Sequence, residues 1–186
     1  IGIGGSSQGS KAVSHILNCK NIYHFDHLNA IKINKVIDNI NIQKTGFIFI
    51  SKSGNTSEVL TLFDYICERV KNKIDISKNF LSITEKNTSP LYDLSSQMGI
   101  QIIEHNKEIG GRFSIFSHTG MIPISLFFDN VENFFEGLNQ AIINFMKNTP
   151  FQNEQSPSET AKKKYDLIIN GKNIDVILLY GDELLE

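Results

Sequence analysis

Tryptophan is absent from the 186 residues, cysteine and arginine occur twice each, and proline four times. The two cysteines, Cys19 and Cys67, stand alone and form neither a CxxC pair nor a metal-ligand spacing. A disulfide framework and a zinc site are therefore not expected, and a reducing, cytoplasmic setting is the default. Long hydrophobic runs are also missing. The nearest, Phe113 to Phe128, is broken by Ser114, Ser117, His118, Thr119, Gly120 and Pro123. Crossing a bilayer takes roughly 18 consecutive apolar residues, so this stretch reads as a buried helix and no membrane partner is expected. Charge of one sign is lacking too, with 18 basic and 20 acidic residues in no long block. That excludes the concentrated basic face of a general nucleic-acid binder. The single basic run, Lys162 to Lys164, reads as a solvated helix face.

What is present is the makings of a core. Hydrophobic residues make up 40% of the chain, too many for a disordered tail. At this length a domain buries roughly 70% of the surface its unfolded chain exposes. Strand and helix patterns alternate. Ile1 to Gly4, Asn21 to Asp26, Thr45 to Ile50, Phe80 to Thr84 and Ile100 to Glu104 read as strands, and Asp175 to Tyr180 resumes as another. Thr45 to Ile50 is continuously apolar, the mark of a strand buried on both faces. Ser6 to Cys19, His27 to Ile40, Thr56 to Val70, Val131 to Met146 and Ser158 to Asn170 carry helical spacing; Pro90 to Met98 opens with proline in its first turn. This alternation predicts an α/β fold, a three-layer αβα sandwich around a five-stranded, mainly parallel sheet. Residues 1–150 are expected to form the core domain and 151–186 a helix and strand leading onward. In such sheets ligands bind beyond the carboxyl ends of the strands.

Three strand-to-helix turns carry the residues suited to chemistry. The first, Gly2 to Gly9 (GIGGSSQG), lets backbone N–H groups approach an anion at a helix start. It nearly matches a dinucleotide fingerprint, with Asp26 available for a ribose, but Ser7 occupies the third glycine position. A phosphate-loop pattern fails because Lys11 comes one place late. The glycines could equally serve only to pack helix against strand. The second turn, Ser51 to Glu58 (SKSGNTSE), gathers the hydroxyls of Ser51, Ser53 and Thr56 around one helix start, with Gly54 at the bend. A phosphate monoester needs several donors at once, whereas capping employs only one such hydroxyl. Lys52 reads either as an exposed lysine or as added charge. In the third turn, Glu108 to Ser114 (EIGGRFS), two glycines lead to Arg112, whose permanent charge suits either a developing oxyanion or a structural salt bridge.

Together GIGGSSQG at Gly2 to Gly9, ISKSGNTSE at Ile50 to Glu58 and IGGRFSIFSHTGMIP at Ile109 to Pro123 resemble the glucose-6-phosphate isomerase family and its sugar isomerase (SIS) domain. The resemblance runs over nearly the whole chain. It implies interconversion of glucose 6-phosphate and fructose 6-phosphate in the cytosol, without metal or organic cofactor, by an enzyme that is usually a homodimer. Carried over by position, Ser51, Ser53 and Thr56 hold the substrate phosphate and Lys52 adds a backbone N–H. Gly5 and Ser6 line the sugar site, and Arg112 stabilises the enediolate. Glu58 matches an acidic residue that orients a ring-opening histidine. The commoner pattern has aspartate at Ser7 and threonine at Asn55 and Val59. The family's base, a glutamate in a QxxMESNGK-like stretch, has no match, nor do its later histidine and lysine. Glu183 and Glu186 look like surface helix residues rather than substitutes. His15, His24, His27, His105 and His118 match no catalytic position. With Ile1 opening inside a strand and Glu186 falling just short of the base, the chain is expected to be the phosphate-binding part of an isomerase, inactive alone. The rival readings are a non-catalytic phosphosugar sensor and a nicotinamide-dependent oxidoreductase.

Overall fold

The computed structural model describes residues 1–126, 131–147, 157–174 and 176. The described residues up to 126 form one compact unit and those from 131 a second. In the first, Gly2 makes an isolated bridge and Gly4–Ser6 a 3-10 turn, followed by α1 (Gln8–Ile16) and α2 (Ala30–Ile37). Then come β1 (Phe47–Ile50), α3 (Ser57–Val70), the short α4 (Ile76–Asn79), β2 (Phe80–Thr84), α5 (Pro90–Gln97) and β3 (Gln101–Glu104). A 3-10 turn over Gly111–Phe113 leads to α6 (His118–Ser125). The second unit contains α7 (Val131–Met146) and α8 (Pro157–Ile169). The expected strand at 175–180 lies almost wholly outside the described residues, as do Glu183 and Glu186.

The strands run parallel in the order β1-β2-β3, with Phe47 opposite Phe80 and Leu81 opposite Gln101. The α/β class with a parallel sheet is as expected, but the sheet has three strands among the described residues rather than five. The shortfall lies in Ile1 to Gly4 and Asn21 to Asp26. Gly2 bridges Ile50 in parallel, the Ile50 N–H donates to Ile1 O at 2.8 Å, and the Gly2 N–H donates to Phe25 O at 3.2 Å. Both segments thus meet the sheet where strands were expected, without building a ladder. The cause is local. Gly4 swings to φ +57° directly after Ile3, leaving the first segment too short to pair further. In the second segment His24 and Asp26 are held by α1 side chains instead.

The elements follow from their sequences. Val59, Leu62, Phe63, Ile66, Cys67 and Val70 recur at helical spacing, and all are buried on the inner side of α3. They meet Phe49, whose ring lies 4.8 Å from that of Phe63 and 5.1 Å from that of Phe80. These spacings suit tilted and edge-on aromatic packing. Deeper in the sheet, the Ser82 and Ser95 hydroxyls satisfy each other at 2.7 Å, removing the cost of burying either alone. Helix α2 starts later than expected because the Asn29 side chain caps it, accepting the Lys32 N–H at 3.0 Å. The helix expected from Phe113 begins only at His118. A Cβ on Gly120 would lie 2.1 Å from Ile115 O, so the first turn of α6 packs directly on the loop before it.

Candidate active site

The three turns leave the carboxyl ends of parallel segments of one sheet, the Gly2 segment beside β1, β1 itself and β3 on the far side of β2. Ser51 follows β1 directly and is buried; its hydroxyl meets that of Thr56 at 2.9 Å. Thr56 occupies the position before α3, yet its side chain makes no capping bond. Ser53 is exposed and accepts the Asn55 N–H at 3.2 Å. None of the three hydroxyls is consumed by capping α3. Gly54 sits at φ +69°, and a Cβ there would lie 2.1 Å from Ser89 Oγ. Only glycine fits this bend. Its carbonyl accepts the Leu91 N–H at 3.1 Å, so the first turn of α5 grips the bend from behind. The Ser89 hydroxyl, buried in that grip, has no hydrogen-bond partner among the described residues.

Lys52 makes a contact that neither reading of its sequence position foresaw. Its backbone carbonyl accepts the Glu85 N–H at 2.9 Å, while its ammonium donates to Lys107 O at 2.7 Å and lies 3.7 Å from Glu85. The side chain is a strut from the second turn to the loop that leads into the third.

The first and third turns meet backbone to backbone. A Cβ on Gly5 would lie 2.3 Å from the Gly111 carbonyl and 2.8 Å from Arg112 N. The Ser114 hydroxyl closes this junction, reaching Gly111 O at 2.6 Å and Gly5 O at 3.1 Å. Ser6 is half-buried beside it. Arg112 is exposed, and no hydrogen bond or ion pair holds its guanidinium among the described residues. Glu58, half-buried in the first turn of α3, accepts the Ser57 hydroxyl at 3.0 Å. Ser114 stood within the quoted motif without a role; a serine two places after the glycine-glycine-arginine run was the available signal.

Asp26 has no free edge for a ribose. One carboxylate oxygen takes Lys11 at 2.8 Å and the other takes His27. Burial pushes this carboxyl up, but the hydrogen bonds from Lys11 and His27 more than offset it and bring it down to about 2. Nearby, His24 meets the buried Ser14 hydroxyl at 3.0 Å; burial, with the neighbouring cations, lowers it to about 4.

A family model for phosphoglucose isomerase matches residues 1–186. The chain belongs to the phosphoglucose isomerase family. Among curated relatives it is 30% identical over 189 residues to the glucose-6-phosphate isomerase of Campylobacter jejuni, covering 98% of this chain and 45% of that protein. It is also 30% identical over 194 residues to a probable glucose-6-phosphate isomerase of Methanococcus maripaludis, covering 99% of this chain and 43% of the relative. The chain thus spans less than half the length of these phosphoglucose isomerase relatives. The crystal structure of a glucose-6-phosphate isomerase from Chlamydia trachomatis superposes with a TM-score of 0.61 at 25% identity, over 79% of this chain and 27% of that one.

Proposed function

We propose that this chain is the sugar-phosphate-binding part of a glucose-6-phosphate isomerase, which interconverts glucose 6-phosphate and fructose 6-phosphate. The observation that carries the reading is the joining of the three turns: Gly2 bridges Ile50, Gly5 abuts Gly111, and Lys52 reaches Lys107 O. This joining supports a site in which the hydroxyls of the second turn and the Arg112 guanidinium, unpaired among the described residues, act on one sugar phosphate.

In this reading Ser51, Ser53 and Thr56 donate to the substrate phosphate with the Lys52 N–H, and Gly5 and Ser6 border the sugar. The phosphate contacts are made equally in ground and transition states. They fix the open-chain sugar, which lowers the entropic part of the barrier. The reaction moves a proton between C2 and C1 through an enediolate, whose oxygen gains negative charge. Arg112 stabilises that charge, an interaction that strengthens in the transition state and so raises kcat. Glu58 orients a ring-opening group. The base for the C2 proton has no match among these residues, so residues 1–186 bind sugar phosphate without turning it over. The full-length enzyme is a cytosolic homodimer, a compartment that suits its isolated cysteines.

Calorimetric titration of the full chain with fructose 6-phosphate, and separately with NAD, tests the reading. Saturable sugar-phosphate binding with no response to NAD is expected. Tight NAD binding with no sugar-phosphate response would overturn it.

A further inference from the structure

We propose that His105 is a positioning residue for Arg112. It follows β3 directly, and its backbone N–H donates to Thr84 O at 2.8 Å, continuing the strand pairing by one residue. The side chain is only 2% exposed. Its Nε2 faces Ile109 O at 3.2 Å and its Nδ1 faces the buried Thr119 hydroxyl at 3.0 Å. A carbonyl only accepts, so Nε2 donates to Ile109 O, and Nδ1 then accepts the Thr119 proton. One ring thus joins the end of β3, the first turn of α6 and the carbonyl just before Gly110-Gly111-Arg112.

That carbonyl matters because the two glycines bring no side chains to hold the turn. Downstream, Ser114 anchors it through Gly111 O and Gly5 O. Upstream, His105 supplies the corresponding anchor. Arg112 has no side-chain partner of its own among the described residues, so its place is set by this backbone. A catalytic group performs only as well as its supports fix it, and a misplacement of about 1 Å costs on the order of 10²-fold in rate. No hydrogen bond among the described residues joins the ring to Ser51, Ser53 or Thr56; the second turn meets this loop through Lys52 on Lys107 O, so loss of the ring acts first on the Arg112 turn.

The catalytic consequence rests on the isomerase reading above; the geometric one does not. The test uses the full-length enzyme that contains residues 1–186, with His105→Ala, His105→Gln and Thr119→Val, reading kcat and KM for fructose 6-phosphate together with backbone amide NMR signals. His105→Ala is expected to lower kcat roughly 10- to 100-fold with KM within about twofold. His105→Gln, whose amide also offers one donor and one acceptor, should recover most of the loss. The amides of Gly111 and Arg112 should shift while those of Ser53 to Thr56 stay. An unchanged kcat in a folded His105→Ala protein, or a glutamine variant no better than alanine, overturns the inference. Should His105→Ala not fold, Thr119→Val keeps the ring and breaks one bond; a kcat equal to the parent's then overturns it. If the parent shows no turnover, the isomerase reading falls, and unmoved Gly111 and Arg112 amides in the variants overturn this inference separately.

Discussion

Arg112 is one of two arginines in a chain whose other basic residues are lysines, and its guanidinium is left without a protein partner among the described residues. A salt-bridged arginine would hold its place by pairing; the proposed function gives this one a developing oxyanion as its partner. Replacing it with alanine in the full-length enzyme should lower kcat by about 10²–10³, read by a coupled isomerase assay. His24 yields a second expectation at the same scale. Its folded pKa of about 4 lies below the usual 6.5, so between these values the unfolded state binds more protons. The stability it contributes is complete above about 6.5 and is lost as pH falls toward 4. Melting temperature should therefore drop across that window, and His24→Asn should flatten the drop. Sequence made Arg112 conspicuous through arginine scarcity and the glycines before it. It did not reveal the strut that Lys52 makes, because this ends on a carbonyl 55 positions away, nor the role of His105, because burial of a lone histidine is a property of packing.

Among the elements, the strand-end turns were legible because glycine, serine and threonine announce their backbone and hydroxyl chemistry locally. The extent of the strands was not. Thr45 to Ile50 read correctly as a buried strand because its apolar run needs no partner to identify it. Asn21 to Asp26 looked equally regular, yet Lys11 and Ser14 on α1 took its polar side chains and only Phe25 O reached Gly2. Helix α6 was misjudged at its start for a related reason: Ser114 bonds Gly111 O and keeps that stretch in a tight turn. The junction of the first and third turns gives a contrast that packing alone decides. A Cβ on Gly5 meets the Gly111 carbonyl at 2.3 Å, whereas one on Gly111 meets nothing within 4 Å. Gly5→Ala should destabilise the fold by about 1–3 kcal/mol as the turns part, while Gly111→Ala should stay within about 0.5 kcal/mol. Denaturant unfolding of both variants reads the difference, and equal losses would contradict the backbone contact.

For the molecule as a whole, alternating patterns sufficed to predict an α/β fold with a parallel sheet, and three motifs in order sufficed to point to the family. Side-chain struts between distant turns emerged only in three dimensions, because they depend on which strand ends become neighbours. The first compact unit unites the phosphate-type turn with the arginine turn, while the chain spans only 45% of its Campylobacter relative. The proposed function gives phosphate capture and oxyanion stabilisation to this chain and places proton abstraction outside its matched motifs. The most direct measurement is the rate at which the full-length enzyme that contains residues 1–186 converts fructose 6-phosphate to glucose 6-phosphate. Turnover by the parent, falling at least tenfold on Arg112→Ala with the fold intact, is predicted. A folded full-length enzyme that binds the sugar phosphate but does not convert it would contradict the account.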